Sequence, residues 1–339
     1  MKIKSLYTFA FCLLPFAFFI SCFAQGSLTP PGAPAPTMKS LDQVEPRMPI
    51  ASLPFFIANP GAYYLTTNLT GISGTNGITI AANDVMLDLR GFSLVGVSGS
   101  LSGVKVSASN FANDAHTNLF IANGVIRNWD ANGINAGQAY NCRFDNLQLS
   151  TNKVDGLNCG DYTLVTHCLA FGNGSYGFES FDSLFEDCCA SLNNNDGFHA
   201  SHSRVVNCVS QGNGASGISA FNGSSVSDCR VADNSGSGIA LGRDSIARDN
   251  HCDSNDTSAI ALRGGIEAFL PDAVIQGNHI RFSAGFGVLV DTGVTNVVVV
   301  QNILAGTTNN AFSIPPGNDV GPTNRASNAT SPWANIVNP

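Results

Sequence analysis

Apolar and polar positions recur together about every 20 residues between Thr163 and Ser245. Four segments share one pattern: a Cys, an Asn five residues later and, four further on, a Gly followed by an apolar residue. They are Cys168, Asn173, Gly177 and Phe178; Cys188, Asn193, Gly197 and Phe198; Cys208, Asn213, Gly217 and Ile218; and Cys229, Asn234, Gly238 and Ile239. A repeat of this period marks a solenoid, whose units bury their apolar faces only against their neighbours. Short alternating stretches such as Phe178–Ser180 and Ile218–Ala220 are split by Asn, Gly, Ser and Asp, a pattern of strands and turns rather than helices. The Leu positions of a leucine-rich repeat are missing. The expected fold is all-β: a single-stranded parallel β-helix of roughly 20-residue coils, stacked at the strand spacing of about 4.8 Å.

Each column of the repeat then has a physical role. Asn152, Asn173, Asn193, Asn213, Asn234 and Asn255 lie four residues before a Gly–apolar step, or before Ala259–Ile260 in the last case. Asn tolerates the left-handed conformation, and its amide can bond its equivalents on neighbouring coils, so a structural ladder is expected. Leu157, Phe178, Phe198, Ile218, Ile239, Ile260 and Val288 should stack as core. The Cys column should point inward and behave as small hydrophobes.

Read in order, the chain opens with Lys2 and Lys4, an apolar run from Leu6 to Ile20, and small residues up to Ala24. That is the pattern of an export signal over residues 1–24, too short and too punctuated for a permanent membrane span. The protein is expected to be periplasmic, secreted or at the cell surface; acylation at Cys22 is the lipoprotein alternative. Residues 25–49, with Pro30, Pro31, Pro34 and Pro36, read as a Pro/Ala-rich spacer. The β-helix is expected over 50–315, with an extra loop at Ile266–Asp272, and a polar tail or cap over 316–339 in which Trp333 packs against the last rung or its flank.

Charge narrows the partners. Charged residues make up 12% of the chain, the formal net charge is -8, and beyond Lys4 only Lys39, Lys105 and Lys153 remain as lysines. Such a surface suits neither nucleic acid nor an anionic membrane, and no phosphate loop or nucleotide fingerprint occurs. Eight Cys follow residue 24, namely Cys142, Cys159, Cys168, Cys188, Cys189, Cys208, Cys229 and Cys252. They show no C-x-x-C pair and no zinc spacing. Buried thiols are expected, with a cross-coil disulfide as the alternative.

The run Gly77 to Gly96, with Ile80, Asn83, Val85, Leu87, Asp88, Leu89, Gly91 and Phe92, resembles the entry coils of bacterial right-handed parallel β-helix proteins. These belong to the pectin-lyase-like superfamily, and the resemblance extends over roughly Tyr63 to Ile314. It implies a right-handed helix of three parallel sheets, with any site on an exposed sheet face. Counting outward from the Gly–apolar step gives two polar columns: Asn135, Asn158, Glu179, His199 and Ser219; and Asp161, Asp182, His202, Asn222 and Arg243. Glu179, Asp182, His199 and His202 fall on neighbouring coils, a set of carboxylates and imidazoles suited to acid–base work on a sugar. Tyr176 to Asp182 is similar to the mannuronan epimerase motif Tyr-Gly-Phe-Asp-Pro-His-Glu. The resemblance assigns the family's Tyr to Tyr176 and its acid to Glu179, while the motif's His falls on Phe181.

Two function classes stay open. One is an exported lyase or uronate epimerase with Tyr176, Glu179, Asp182, His199 and His202 as catalytic residues. An anionic substrate would then need Arg243, Arg263 or Ca²⁺ to offset the protein's charge. The other is a non-catalytic surface or adhesive module. A polysaccharide is the expected partner, and no cofactor is expected beyond that open question of Ca²⁺.

Overall fold

The structure, a computed structural model, describes residues 47–107, 115–258, 263–307 and 310–338. The export signal, Cys22, residues 25–46 of the spacer and the Ala259–Ile260 step lie outside the described residues. One coil illustrates the rest. Phe178–Phe181, Leu184–Glu186 and Cys189–Ser191 are short strands separated by tight corners. They pair in parallel, one coil on, with Phe198–Ser201, Arg204–Val206 and Val209–Gln211. Twelve strands, from Phe55–Ile57 to Asn310–Ser313, form the first ladder. The second and third ladders merge into one 24-stranded sheet, because Phe120–Arg127 and Arg143–Ser150 run through the corner between them and pair with both. The result is a parallel β-helix with three faces.

Alternation decides which side chains fill it. Phe178 and Ser180 point inward while Glu179, between them, points out. Phe178 and Phe198 stack with ring centroids 5.0 Å apart, and Phe185 meets Phe198 edge-on at 5.6 Å; all three are fully buried. Burying each such ring stabilises the coil by about 1.5–3 kcal/mol. The column runs Leu157, Phe178, Phe198, Ile218, Ile239, but its next member is Ile266, which pairs with Ile239, and not Ile260. Gly265–Ile266 is therefore the next Gly–apolar step. The extra loop precedes the strand Gly264–Ala268 instead of occupying Ile266–Asp272, because every residue of that strand is buried.

The corners are held by side chains stacked along the axis. Asn173 gives both its backbone N–H and an Nδ2 proton to Oδ1 of Asn193, at 3.0 and 2.9 Å, and Asn193 does the same to Asn213 at 3.0 Å each. The second Nδ2 proton of Asn193 goes to the Ala170 carbonyl at 3.2 Å, so the buried amide is saturated. The left-handed residue is not the Asn but the one before it: Thr151, Gly172, Leu192, Gly212, Asp233 and Ser254 all have positive φ. That residue makes the bend, which leaves the Asn free to point inward. Toward the N-terminus the ladder ends at Trp129, whose backbone N–H bonds Oδ1 of Asn152 at 3.2 Å. Its buried indole donates to the Leu94 carbonyl at 3.2 Å and fills the space left by Gly71, where a Cβ would lie 2.5 Å from the ring.

The second corner carries the cysteines. Cys168, Cys188, Cys208 and Cys229 are buried, and all eight described cysteines are free. They are more than small hydrophobes: each of these four thiols donates to the carbonyl two residues back, at 3.1–3.3 Å. Beyond Cys229 the column becomes a second amide ladder, Asn250, Asn278, Asn302 and Asn335, linked Nδ2 to Oδ1 at 3.0, 3.0 and 3.1 Å. The third corner uses hydroxyls, with Ser183 accepting from Thr163 and Ser203 from Ser183. At the C-terminal end Asn335–Asn338 pairs with Ile303–Ala305. Asn335, fully buried, closes the last rung, whereas Trp333 stands 56% exposed. Among the described residues, no helix is long and apolar enough to cross a membrane.

Replacing Asn193 by Leu leaves the Asn173 N–H groups and the Asn213 amide oxygen's coil without their link, and should lower stability by about 1–3 kcal/mol. An unchanged denaturation midpoint would contradict the ladder's role. Burial pushes the thiol of Cys142 up to about 11 and that of Cys168 upward as well. Burial shields Cys168, Cys188, Cys208 and Cys229 from reagent, so native protein should label slowly at all four and quickly in urea. Fast native labelling of all four would refute their inward placement.

Candidate functional site

The residue preceding each Gly–apolar step sits beside its equivalents on adjacent coils, which aligns Asn132, Asp155, Tyr176, Asp196 and Ser216. Parallel to them runs the outward column of the first ladder: Lys105, Asn135, Asn158, Glu179, His199 and Ser219, in register. These two columns build a polar wall. Lys105 donates to Asn135 at 3.0 Å, and Asn158 donates to Glu179. The Tyr176 ring stacks on His199 with centroids 4.5 Å apart and planes at 30°. Nδ1 of His199 lies 3.1 Å from the carboxylate of buried Asp196, whose other oxygen accepts the Ser216 N–H at 2.9 Å. Asp155, also buried, accepts from the Tyr176 N–H at 3.0 Å and from Asn132 at 3.1 Å.

From His199 a line of rings crosses the sheet. Phe221 tilts against His199 at 4.9 Å, and Phe269 meets Phe221 edge-on at 5.5 Å. Tyr176, His199, Phe221 and Phe269 thus form a continuous aromatic ribbon next to Glu179. Burial pushes the Glu179 carboxyl above the usual range, reinforced by the charge of Asp155 and opposed by the bond from Asn158. Burial likewise raises Asp155, and it raises the Tyr176 phenol together with the carboxylates of Asp196, Glu179 and Asp155. In the tautomer protonated at Nδ1, the His199 ring donates to Asp196 and leaves Nε2 as an acceptor. The wall therefore sets a carboxyl raised above its usual range, a phenol and an imidazole side by side within two adjacent coils.

Tyr176, Glu179 and His199 come together as the sequence predicts. Asp182 and His202 do not join them. Both sit in the left-handed region at a corner, with φ of 45° and 51°, and line a separate depression with Tyr162, Leu164, Leu184 and Arg204. The period that places all four on neighbouring coils says nothing of the corner that divides them. Asp155, Asp196, Phe221 and Phe269 are missed by sequence reasoning. The two acids precede Gly156 and Gly197 as Tyr176 precedes Gly177, a signal open to a reader aligning that column. Phe269 is found only once the loop before Gly264 is placed correctly.

The arginines expected to offset an anionic substrate are themselves paired. Arg263 binds both oxygens of buried Glu267 at 2.9 and 3.0 Å, and Ser237 donates to the same carboxylate. Arg243 lies 3.6 Å from Asp272. Among the described residues, no three of His, Cys, Asp and Glu gather in a way that could hold a metal ion.

Glu179 gives a pH test. Its folded carboxyl keeps its proton to a higher pH than the unfolded one, so ionising it costs stability as pH rises through and above the ordinary glutamate range. Glu179→Gln should raise the melting temperature at neutral pH, and the gain should vanish below about pH 4. A gain that persists at low pH would contradict the assignment.

No curated protein matches the chain. The family model for a right handed beta helix region matches residues 102–247. Among solved structures, the mannuronan C-5 epimerase AlgE6 A-module of Azotobacter vinelandii is 14% identical, with TM-score 0.69 over 86% of this chain and 90% of its own. The AlgE4 A-module of the same organism is 17% identical, with TM-score 0.55 over 83% and 89%. A tailspike protein of the E. coli bacteriophage HK620, solved in complex with a pentasaccharide, is 13% identical, with TM-score 0.61 over 83% of this chain and 60% of its own. With the ladders and their register, these likenesses show that the chain has the right-handed β-helix fold.

Proposed function

We propose that this protein binds a polysaccharide along the outer face of its first ladder, over Tyr176, Glu179 and His199. The observation that carries the reading is the aromatic ribbon from Tyr176 to Phe269, set beside a wall of amides and carboxylates. Rings offer flat apolar faces to the C–H faces of sugars, while Asn135, Asn158 and Glu179 supply partners for hydroxyls. Two solved likenesses are mannuronan epimerase modules and a third holds a pentasaccharide, which supports the same reading. The N-terminal pattern of residues 1–24 supports an exported protein, the setting in which such a partner is met.

A second reading, acid–base chemistry of a lyase or uronate epimerase, is favoured by one feature. Glu179 and His199 pair in register on adjacent strands, with Tyr176 stacked on the imidazole. In that reading His199 takes the proton beside a uronate's carboxyl; in an epimerase Glu179 returns a proton to the same carbon, whereas in a lyase the glycosidic C–O bond breaks and Tyr176 protonates the departing oxygen. Phe181, where the epimerase motif has His, leaves His199 as the imidazole of the set.

Binding to neutral and uronate-containing polysaccharides, followed with ultraviolet detection of unsaturated products, tests both readings. Tyr176→Ala should weaken binding about three- to tenfold, the loss of one ring contact. Glu179→Gln should abolish any turnover while retaining binding. Unchanged binding in Tyr176→Ala, or no bound glycan at all, overturns the first reading; full turnover in Glu179→Gln overturns the second.

A further inference from the structure

The corner between the first and second ladders has its own surface. Tyr162, Asp182 and His202 stand at equivalent places on three successive coils, each just before an inward Thr163, Ser183 or Ser203. All three have left-handed backbones, with φ of 54°, 45° and 51°. Elsewhere this corner position is filled by Asn118, Asn141, Asn222, Asp244, Asp272 and Asn296, residues for which that conformation is cheap. Tyr162 and His202 accept the strain without gaining burial, since Tyr162 is 68% exposed and His202 is also exposed. Bulky left-handed residues also stand exposed at other corners, as Leu192 and Phe282 do, but Tyr162 and His202 differ in lining one common depression.

Two residues further along each coil, Leu164, Leu184 and Arg204 form a second column in register. Leu164 and Leu184 face outward and are half-buried, so an apolar strip lies open beside the first column. The two columns with Thr163 and Ser183 line a shallow depression of about 460 Å³. That is within the range of roughly 300–1,000 Å³ found for small-molecule sites.

We infer that this corner depression is a second binding site, for a neutral pyranose stretch of a glycan, and that it works independently of the wall around Glu179. The leucine strip and the Tyr162 ring take the C–H face of a sugar. Asp182 accepts from adjacent hydroxyls, and Arg204 donates to ring or hydroxyl oxygens. His202, held by Ser201 at 3.3 Å, which in turn accepts from Asn222 at 3.4 Å, can do either. The balance of charge selects against a uronate or sulfate. Such a group would meet the Asp182 carboxylate, with Asp161 close enough to feel its charge, against the single guanidinium of Arg204.

The test uses the full chain, titrated with neutral gluco-, manno- and galacto-configured tetrasaccharides and with an oligouronate of equal length. Tyr162→Asn and His202→Asn place at the corner a residue suited to its backbone. A purely structural role for either side chain predicts lost stability and unchanged binding. The inference predicts a melting temperature equal or higher, with binding of one neutral tetrasaccharide weakened about tenfold or more. Tyr176→Ala serves as the control on the wall. Neutral binding lost in Tyr176→Ala but kept in both corner variants overturns the inference and leaves the wall reading standing; the reverse supports the corner site and counts against the wall. Tighter binding of the oligouronate, lost in the corner variants, overturns the neutral assignment. No neutral binding by the unaltered protein overturns the site.

Discussion

Each coil bends three times, and each bend turns backbone N–H and C=O groups toward a dry interior. Stacked polar side chains satisfy them, and the rest of the molecule depends on that. The chain uses a different group at each corner: carboxamides from Asn152 to Asn255, thiols giving way to carboxamides from Cys168 to Asn335, and hydroxyls at Thr163, Ser183 and Ser203. Leaving such groups unpaired would cost about 1–3 kcal/mol each, a large share of the stability of any domain. Apolar columns such as Phe178 and Phe198 drive the coils together, and the polar columns fix where each coil turns.

The same constraint shapes the surfaces. Once the corners are fixed, outward residues on adjacent strands are held one strand spacing apart, about 4.8 Å. Tyr176 and His199 stack because the turn column and the strand column are locked side by side, and buried Asp196 holds the imidazole. A wall built this way is rigid without needing a pocket, because its geometry is that of the ladder beneath it. The corner also divides the surface, turning Asp182 away from Glu179 and His202 away from His199 although each pair is three residues apart in sequence.

What the sequence makes legible follows from which of these constraints is periodic. The coil, its inward apolar column, the Asn ladder and the outward run Asn135 to Ser219 all repeat at a constant interval and are readable. The second amide ladder is not, because Asn250, Asn278, Asn302 and Asn335 are separated by 28, 24 and 33 residues. The loop before Gly264 hides the step to Ile266 in the same way and draws the reading to Ile260. Trp129 defeats pattern matching for a different reason: it occupies the Asn position with a residue of unlike chemistry, and only the glycines around it reveal the fit. Asp155 and Asp196 are legible in principle, since both stand in the column of Tyr176.

The amide ladder also makes the solenoid modular in length. Asn173, Asn193 and Asn213 make the same bonds to the coils on either side, each separated from the next by 20 residues. A coil such as that between Asn193 and Asn213 presents matching donors and acceptors at its two faces, so a whole turn can be inserted or removed without orphaning an amide. A fraction of a turn cannot. Trp129 and Asn335 lie outside this exchangeable stretch, one plugging the first rung of its ladder and the other closing the last. The solenoid can therefore lengthen its outer faces in steps of one coil, while the two ends stay as they are.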